Sequence, residues 1–386
     1  MTVFRIITGS YEHTLLCVSV TLPDEKNSQP LFQPIFHFQA HSLSIRALDI
    51  AKRYLVSGSN DEHIKIYDLQ KRKELGTLLQ HQGSITKLVF SNDFDEKSEF
   101  LTHKNGRWLL SAAEDGKIVI WRTKDWEQFG ILKGHTARVN DLAIHPSGRV
   151  AISVSDDKTV RLWNLMTAKK ASAMKLKGVF THGQSPNLVR FSSDGEFFVV
   201  GLLNRLMVYQ TREAKIVSIF QLRQTLMQLD FLLLDGKEFL VLANGNGTIQ
   251  FYDIAQITKG NEETEPLENP EFELQGHANR VKDFSIYTEK KDNDRKSYLV
   301  SISSDGKIVV WDMSVRDQVA VYDTGERLNV VATVNEGVEK ALKPRYDPLQ
   351  KEAESEYESD GEVVVRREDR KKIKKRQKKL LKVELE

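Results

Sequence analysis

A single cysteine, Cys17, stands in 386 residues, so no intramolecular disulfide can staple this chain, and a lone thiol suits a reducing compartment. The expected place for Cys17 is a strand in the core rather than a reactive site. Long apolar runs are missing too. None reaches the roughly 18 residues that a membrane span requires, and the opening MTVFRIITGSYEH reads as a strand with polar punctuation, not as a secretory leader. The expectation is a protein that is neither secreted nor membrane-spanning. Signatures of chemistry are equally scarce. The chain has no glycine loop that would cradle phosphate and no Cys/His cluster at metal spacing. Nor does it have a carboxylate pair separable from the repeated Asp set described next. No catalytic, cofactor-binding or metal-ligating residue is nominated, and an enzyme is not expected.

What the sequence does have is a repeat. A Ser is followed four residues later by an Asp and six residues after that by an aromatic, with a His 20 to 34 residues ahead of the Asp. The four sets are His41, Ser57, Asp61, Tyr67; His81, Ser111, Asp115, Trp121; His135, Ser153, Asp157, Trp163; and His277, Ser301, Asp305, Trp311. Around each set lie alternating β-formers on either side of an Asn, Asp or Gly turn, as in LVSGSNDEHIKIYD and LLSAAEDGKIVIWR. These features predict a four-stranded antiparallel sheet. His belongs in the loop entering the first strand, Ser on the second, Asp in the following turn and the aromatic on the third. Asp would accept from the His ring, His would bond the Ser hydroxyl, and Ser would accept from the indole, so that every buried polar group is paired. Losing one member should cost about 1–3 kcal/mol. A catalytic Ser-His-Asp triad is needed once, whereas this constellation recurs, so the set reads as structural.

The spacing, with LKGHTARVNDLAIHPSG and SDGKIVVWDM, resembles the G-H and W-D signature of WD repeats. This implies an all-β fold, a β-propeller. Aromatic-equivalent positions at 18, 67, 121, 163, 209, 252 and 311 count seven blades over residues 1–335. Blades five and six keep the strand pattern but not the Ser-to-Asp step. The chain begins at a second strand, so the missing first strand of blade one must be LNVVATV at 328–334. Pairing of the N- and C-terminal strands would close the ring without a free edge.

The net charge of +2 conceals polarity along the chain. Residues 1–350 balance to zero, 351–362 carry six acids against Lys351, and 366–382 carry eleven Lys or Arg against Glu368 and Asp369. A charged tail over 336–386 with few aromatics is expected to be disordered or helical. Its basic block comprises Arg366, Arg367, Arg370, Lys371, Lys372, Lys374, Lys375, Arg376, Lys378 and Lys379. That block fits contact with RNA phosphates or an import receptor, a solvated face, or a basic helix lined by Ile373, Leu380 and Leu381. No aromatic interleaves it, so any nucleic-acid contact should be sequence-indifferent and salt-sensitive. Ser355 and Ser359, each three residues before an acid, are candidate phosphorylation sites.

Two surfaces stand out. Expansions at 23–30, 92–107, 256–270 and 287–297 all fall on loops opposite the relay, a pattern that often marks a binding face. On the relay face Arg46, Arg138, Arg280 and Lys282 lie in or just after His loops near the channel mouth. They are partner-binding candidates for an acidic peptide or phosphates, or ordinary surface cations. Lys169, Lys170, Lys175 and Lys177 are expected on an outermost strand, where lysines discourage edge pairing.

GSYEHTLLCVSV, the DEHIKIYD segment, HPSGRVAISVSDDKTVRLWNL and the Lys-rich end together resemble the p21-activated-kinase-interacting-protein-like WD-repeat proteins. The resemblance implies a nucleolar, nuclear factor for assembly of the large (60S) ribosomal subunit. Partners would then be pre-60S particle proteins and, through the tail, rRNA. The resemblance also implies a second association, negative regulation of a p21-activated kinase. A small basic ribosomal-like client, attracted by the acidic stretch NEETEPLENPE, is a further expectation from charge. No cofactor is expected, and a monomer is the default.

Overall fold

The second and third strands of each repeat are nearly continuous runs of apolar and small residues, such as Leu109 to Ala113, all buried. Such strands bury both faces and therefore need a sheet on each side. The computed structural model satisfies this with seven sheets stacked around a ring, six of four strands and one of five. It describes residues 1–23, 29–92, 104, 106–267, 269–291 and 294–340. The chain divides into two units, Met1–Glu339 and Lys340–Glu386, and the propeller belongs to the first. The expectations for the acidic block, for Ser355 and Ser359, and for the basic residues Arg366 to Lys379 lie outside the described residues.

Blade two shows the common plan, with Ile45–Ala51, Tyr54–Ser59, Ile64–Asp68 and Lys73–Leu78 paired antiparallel in that order. The seven first strands form the inner wall. Each touches the next, and Leu328–Asn335 touches Ile45–Ala51, which closes the circle. Hydrophobic cores lie between blades rather than within them. Phe4, Ile6 and Val20 of blade one pack with Val300, Ile308 and Val310 of blade seven, and Trp163 of blade four packs on Leu110 and Ile118 of blade three.

The split blade is as expected. Leu328–Asn335 pairs with Thr2–Ser10, from Phe4 opposite Asn335 to Ser10 opposite Leu328, and Thr14–Leu22 and Leu31–Gln39 complete the sheet. Cys17 is buried on the third strand of this blade. An ion pair fastens the closure. The buried Arg5 guanidinium donates to both carboxylate oxygens of Glu336 at 2.9 Å, and Ser19 Oγ donates to Glu336 Oε2 at 2.9 Å. Glu336→Ala leaves Arg5 without this carboxylate partner and is expected to cost on the order of 3 kcal/mol, read as a lower urea midpoint at constant slope.

Three expectations need correction. Residues 287–297 are largely not a loop, because Val281–Lys291 and Asp294–Ser303 simply extend their hairpin, with Lys291 opposite Asp294. Within 256–270 the chain makes a short helix tip and a strand, Asn261–Pro266, which adds parallel to Lys215–Gln221 as the fifth strand of blade five. The outer edge of blade five offered unpaired backbone groups, and the insertion satisfies part of them. Lys169, Lys170 and Lys175 lie on an outermost strand, but Lys177 lies beyond it, ahead of a one-turn helix.

Bulges repeat as regularly as the residues. Six first strands carry a register shift one residue in, which places Arg46, Thr86, Asn140, Met227, Lys282 and Asn329 as the extra residues. A bulge bends its strand and re-aims its side chain.

Candidate functional site

Spacing along the chain predicts one relay in each of four blades. In blade four, His135 Nε2 lies 2.7 Å from Ser153 Oγ, the Trp163 indole donates to the same hydroxyl at 2.7 Å, and His135 Nδ1 lies 2.9 Å from Asp157. Blade three repeats this with His81, Ser111, Asp115 and Trp121. In blade two His41 bridges Ser57 and Asp61, but Tyr67 replaces Trp. Its hydroxyl is buried without a well-formed hydrogen bond, though Ser57 lies close enough to ease its burial. All four Ser hydroxyls belong to residues with 0% exposure, so no substrate can reach them. These are staples, not nucleophiles.

Blade seven departs from the expectation. His277 Nε2 reaches Ser301 at 2.7 Å and Trp311 donates to Ser301 at 2.8 Å, yet His277 Nδ1 and Asp305 stand 4.0 Å apart and both atoms lack a partner. In the other three blades the residue after His also donates its backbone N–H to the Asp, namely Ser42, Gln82 and Thr136. The loop of blade seven, 276–280, makes no such bond among the described residues and stands away from its Asp. Burial, only partly offset by Asp305, drops the His277 pKa to about 4.

Two blades that lack the relay hold other polar sets. Blade one joins Ser10, Thr14, Glu326 and His37. Blade six links Asn244, Gln250 and Tyr252.

The inner wall encloses a central channel of about 670 Å³. Carboxylates on the inner strands lace blade to blade. Asp49 accepts from Phe90 N at 2.7 Å and from Lys104 at 2.8 Å. Asp141 accepts from Val189 N at 3.0 Å and Arg190 at 2.5 Å, and Asp283 accepts from Val331 N at 3.0 Å and Gln228 at 2.7 Å. Burial pushes the Asp283 carboxyl up. Sequence reasoning missed these three residues, although Asp141 and Asp283 occupy the same position in their repeats.

At the relay-face mouth of this channel the cations converge. Arg46 and Lys282, both bulge residues, line the channel. Lys282 is half-buried and its pKa is lowered, first by burial and then by the charges of Arg280, Arg327 and Arg46. Arg327 is a residue that sequence reasoning missed. It immediately precedes the first strand of the split blade, as Arg138 and Arg280 precede theirs, so aligning that interrupted repeat would have revealed it. Its guanidinium lies over the Tyr11 ring, 5.3 Å from the centroid. Arg138 does not join the group. It faces Glu114 at 3.4 Å and Asp156 at 3.8 Å, and Glu114 also takes Arg46 at 3.4 Å. The four nominated residues thus separate into a neutralised Arg138 and a cationic trio completed by Arg327.

Among the described residues no three His, Cys, Asp or Glu side chains group as metal ligands, and no helix is long and apolar enough to cross a membrane. A closed ring with a polar channel and a charged mouth, and with its Ser-His-Asp sets sealed inside, defines a WD-repeat β-propeller. The WD domain, G-beta repeat model matches residues 32–68, 99–122 and 126–164. The chain is 50% identical to Protein MAK11 of Saccharomyces cerevisiae, over 98% of this chain and 96% of that relative. It is 34% identical to p21-activated protein kinase-interacting protein 1-like of Gallus gallus, over 81% of this chain and 73% of the relative. It is 30% identical to p21-activated protein kinase-interacting protein 1 of Homo sapiens, over 95% and 88%. The chain belongs to the WD-repeat family of Protein MAK11 and the p21-activated protein kinase-interacting proteins.

Proposed function

We propose that this protein is a non-enzymatic scaffold for assembly of the large ribosomal subunit, acting in the nucleus and nucleolus as a monomer. The propeller grips protein clients of the pre-60S particle, and the basic tail engages rRNA or an import receptor. What supports this reading is a likeness to Protein MAK11 over 98% of the chain, which takes in the charged tail as well as the propeller. A scaffold that works on a ribonucleoprotein uses both parts, because cations that neutralise phosphates supply affinity without sequence preference. A basic ribosomal-like client would be drawn to the acidic stretch 261–271, which includes the exposed Glu271. The second reading is an adaptor that negatively regulates a p21-activated kinase, favoured by what the names of the chicken and human relatives say they interact with.

Sedimentation separates the two. The tagged protein, taken from its own cells at moderate salt with and without ribonuclease, is expected to travel with precursor large-subunit particles. Deleting 351–386 should remove it from them. A ribonuclease-resistant complex that contains a kinase and no ribosomal precursor would overturn the assembly reading in favour of the adaptor.

A further inference from the structure

The relay-face mouth has an electrostatic imbalance that the fold does not require. Arg280 and Arg327, each just ahead of one of two touching inner strands, act with their charges on Lys282, and among the described residues none of their charged groups has a carboxylate partner. Arg46 shares Glu114 with Arg138. Burying half of a lysine among three guanidinium groups is unfavourable twice, through lost hydration and like-charge repulsion. The strand bulge carrying Lys282 aims it at the channel rather than at open solvent, and the equivalent bulge in blade two does the same with Arg46. The loop that carries Arg280 is the one whose His–Asp staple is unmade, with two buried polar atoms left without partners. That loop has no His–Asp link to break if it shifts to meet a ligand, and His277 Nε2–Ser301 remains its one relay bond.

We infer that the mouth formed by Arg46, Arg280, Lys282 and Arg327 is a docking site for an acidic, Asp/Glu-rich segment of a protein partner. The inference rests on the scaffold reading above and names the chemistry of one client contact. Nucleic acid fits less well. A phosphate backbone is contacted along a stripe, whereas these cations converge on the end of a channel. Tyr11, beneath Arg327, and Leu43, in the loop ahead of Arg46, are exposed at 55% and 47% and offer apolar contact to a peptide main chain and its side chains.

The test uses the full chain and a fluorescent Glu/Asp-rich peptide, with its Gln/Asn counterpart as control and single-stranded RNA as competitor. The acidic peptide is expected to bind, and the neutral one to bind at least tenfold more weakly. Arg280→Gln with Lys282→Gln should lower affinity tenfold or more, while replacing the basic residues of 370–379 by Gln should leave most of it. A photo-crosslinker on the peptide should mark the loops holding Tyr11 and Leu43. Lys282→Gln alone should raise the melting temperature, since it removes a repelled charge; a merely structural lysine would lower it. The inference is overturned if loss of binding follows only the tail substitutions, if the neutral peptide binds equally, or if RNA displaces the peptide from the propeller cations. Should the protein ignore the peptide yet sediment with precursor particles, this inference falls and the scaffold reading stands. Peptide binding by a protein that sediments with no precursor would leave this inference standing and sink the assembly reading.

Discussion

Deleting residues 328–334 is expected to leave essentially no soluble protein, whereas deleting 341–386 should leave the melting temperature of the propeller unchanged. The closing strand buries Leu328, Val330, Val331 and Val334, each worth about 1.5–3 kcal/mol on transfer from water. Their sum matches the whole net stability of a typical domain, about 5–15 kcal/mol. The loss extends beyond area. Val331 N is a donor to the buried Asp283, and Thr2–Ser10 would present an unpaired edge to other chains. Soluble yield and thermal melting of the two truncates decide the matter. A 328–334 deletion that stays soluble and melts like the intact chain would show that the ring does not depend on this strand.

Asp157→Ala should cost about 3 kcal/mol and Asp305→Ala under about 1 kcal/mol, although the two residues occupy the same place in the repeat. Asp157 accepts from His135 Nδ1, Thr136 N, Thr159 N and Thr159 Oγ1 at 2.6–3.1 Å, so its removal orphans several buried or half-buried donors. Asp305 accepts from Lys307 N at 3.0 Å and stands apart from its histidine. Urea midpoints of the two variants measure the difference. Equal losses would mean that the blade-seven relay is complete in solution.

The same groups set a pH dependence. Burial alone would raise the Asp157 pKa, but hydrogen bonds from Thr159 and His135 outweigh it and lower the value to about 2. Its contribution is therefore fully present above the unfolded value of 3.8 and is lost as pH falls through about 2. Histidine acts over a higher window. With His277 held at about 4 against an ordinary 6.5, the unfolded chain binds the proton first, so stability declines as pH falls from 6.5 towards 4. His277→Gln should flatten that part of the decline.

The fold was legible because a propeller is periodic. Asp157 and Trp163 recur at fixed offsets from Ser153 since every blade must solve the same burial problem, and the odd half-repeats at the two ends point to each other. The second strands, whose apolar runs are buried on both faces, carry the same message. Legibility ended where a blade departs from its own period. Nothing in SSDGKIVVWD sets blade seven apart from blade three, yet its His–Asp link is unmade, because a loop standoff is set by packing and not by residue type. The left-handed turn residues Arg72, Trp126, Ala168, Ala214 and Arg316 were equally invisible, since none is the Gly or Asn that usually marks such a backbone.

Residue order by itself determined the seven blades, the closing strand, the buried relays and the polarity of the tail, because all of these depend on spacing along one chain. The tertiary structure alone decided which charges meet. Ring closure sets Arg46 of blade two beside Arg280 and Lys282 of blade seven and Arg327 of the split blade, across more than two hundred residues of sequence. It sets Arg138 between two acids, Glu114 and Asp156, because charge interactions act through distance in space, to which separation along the chain is blind.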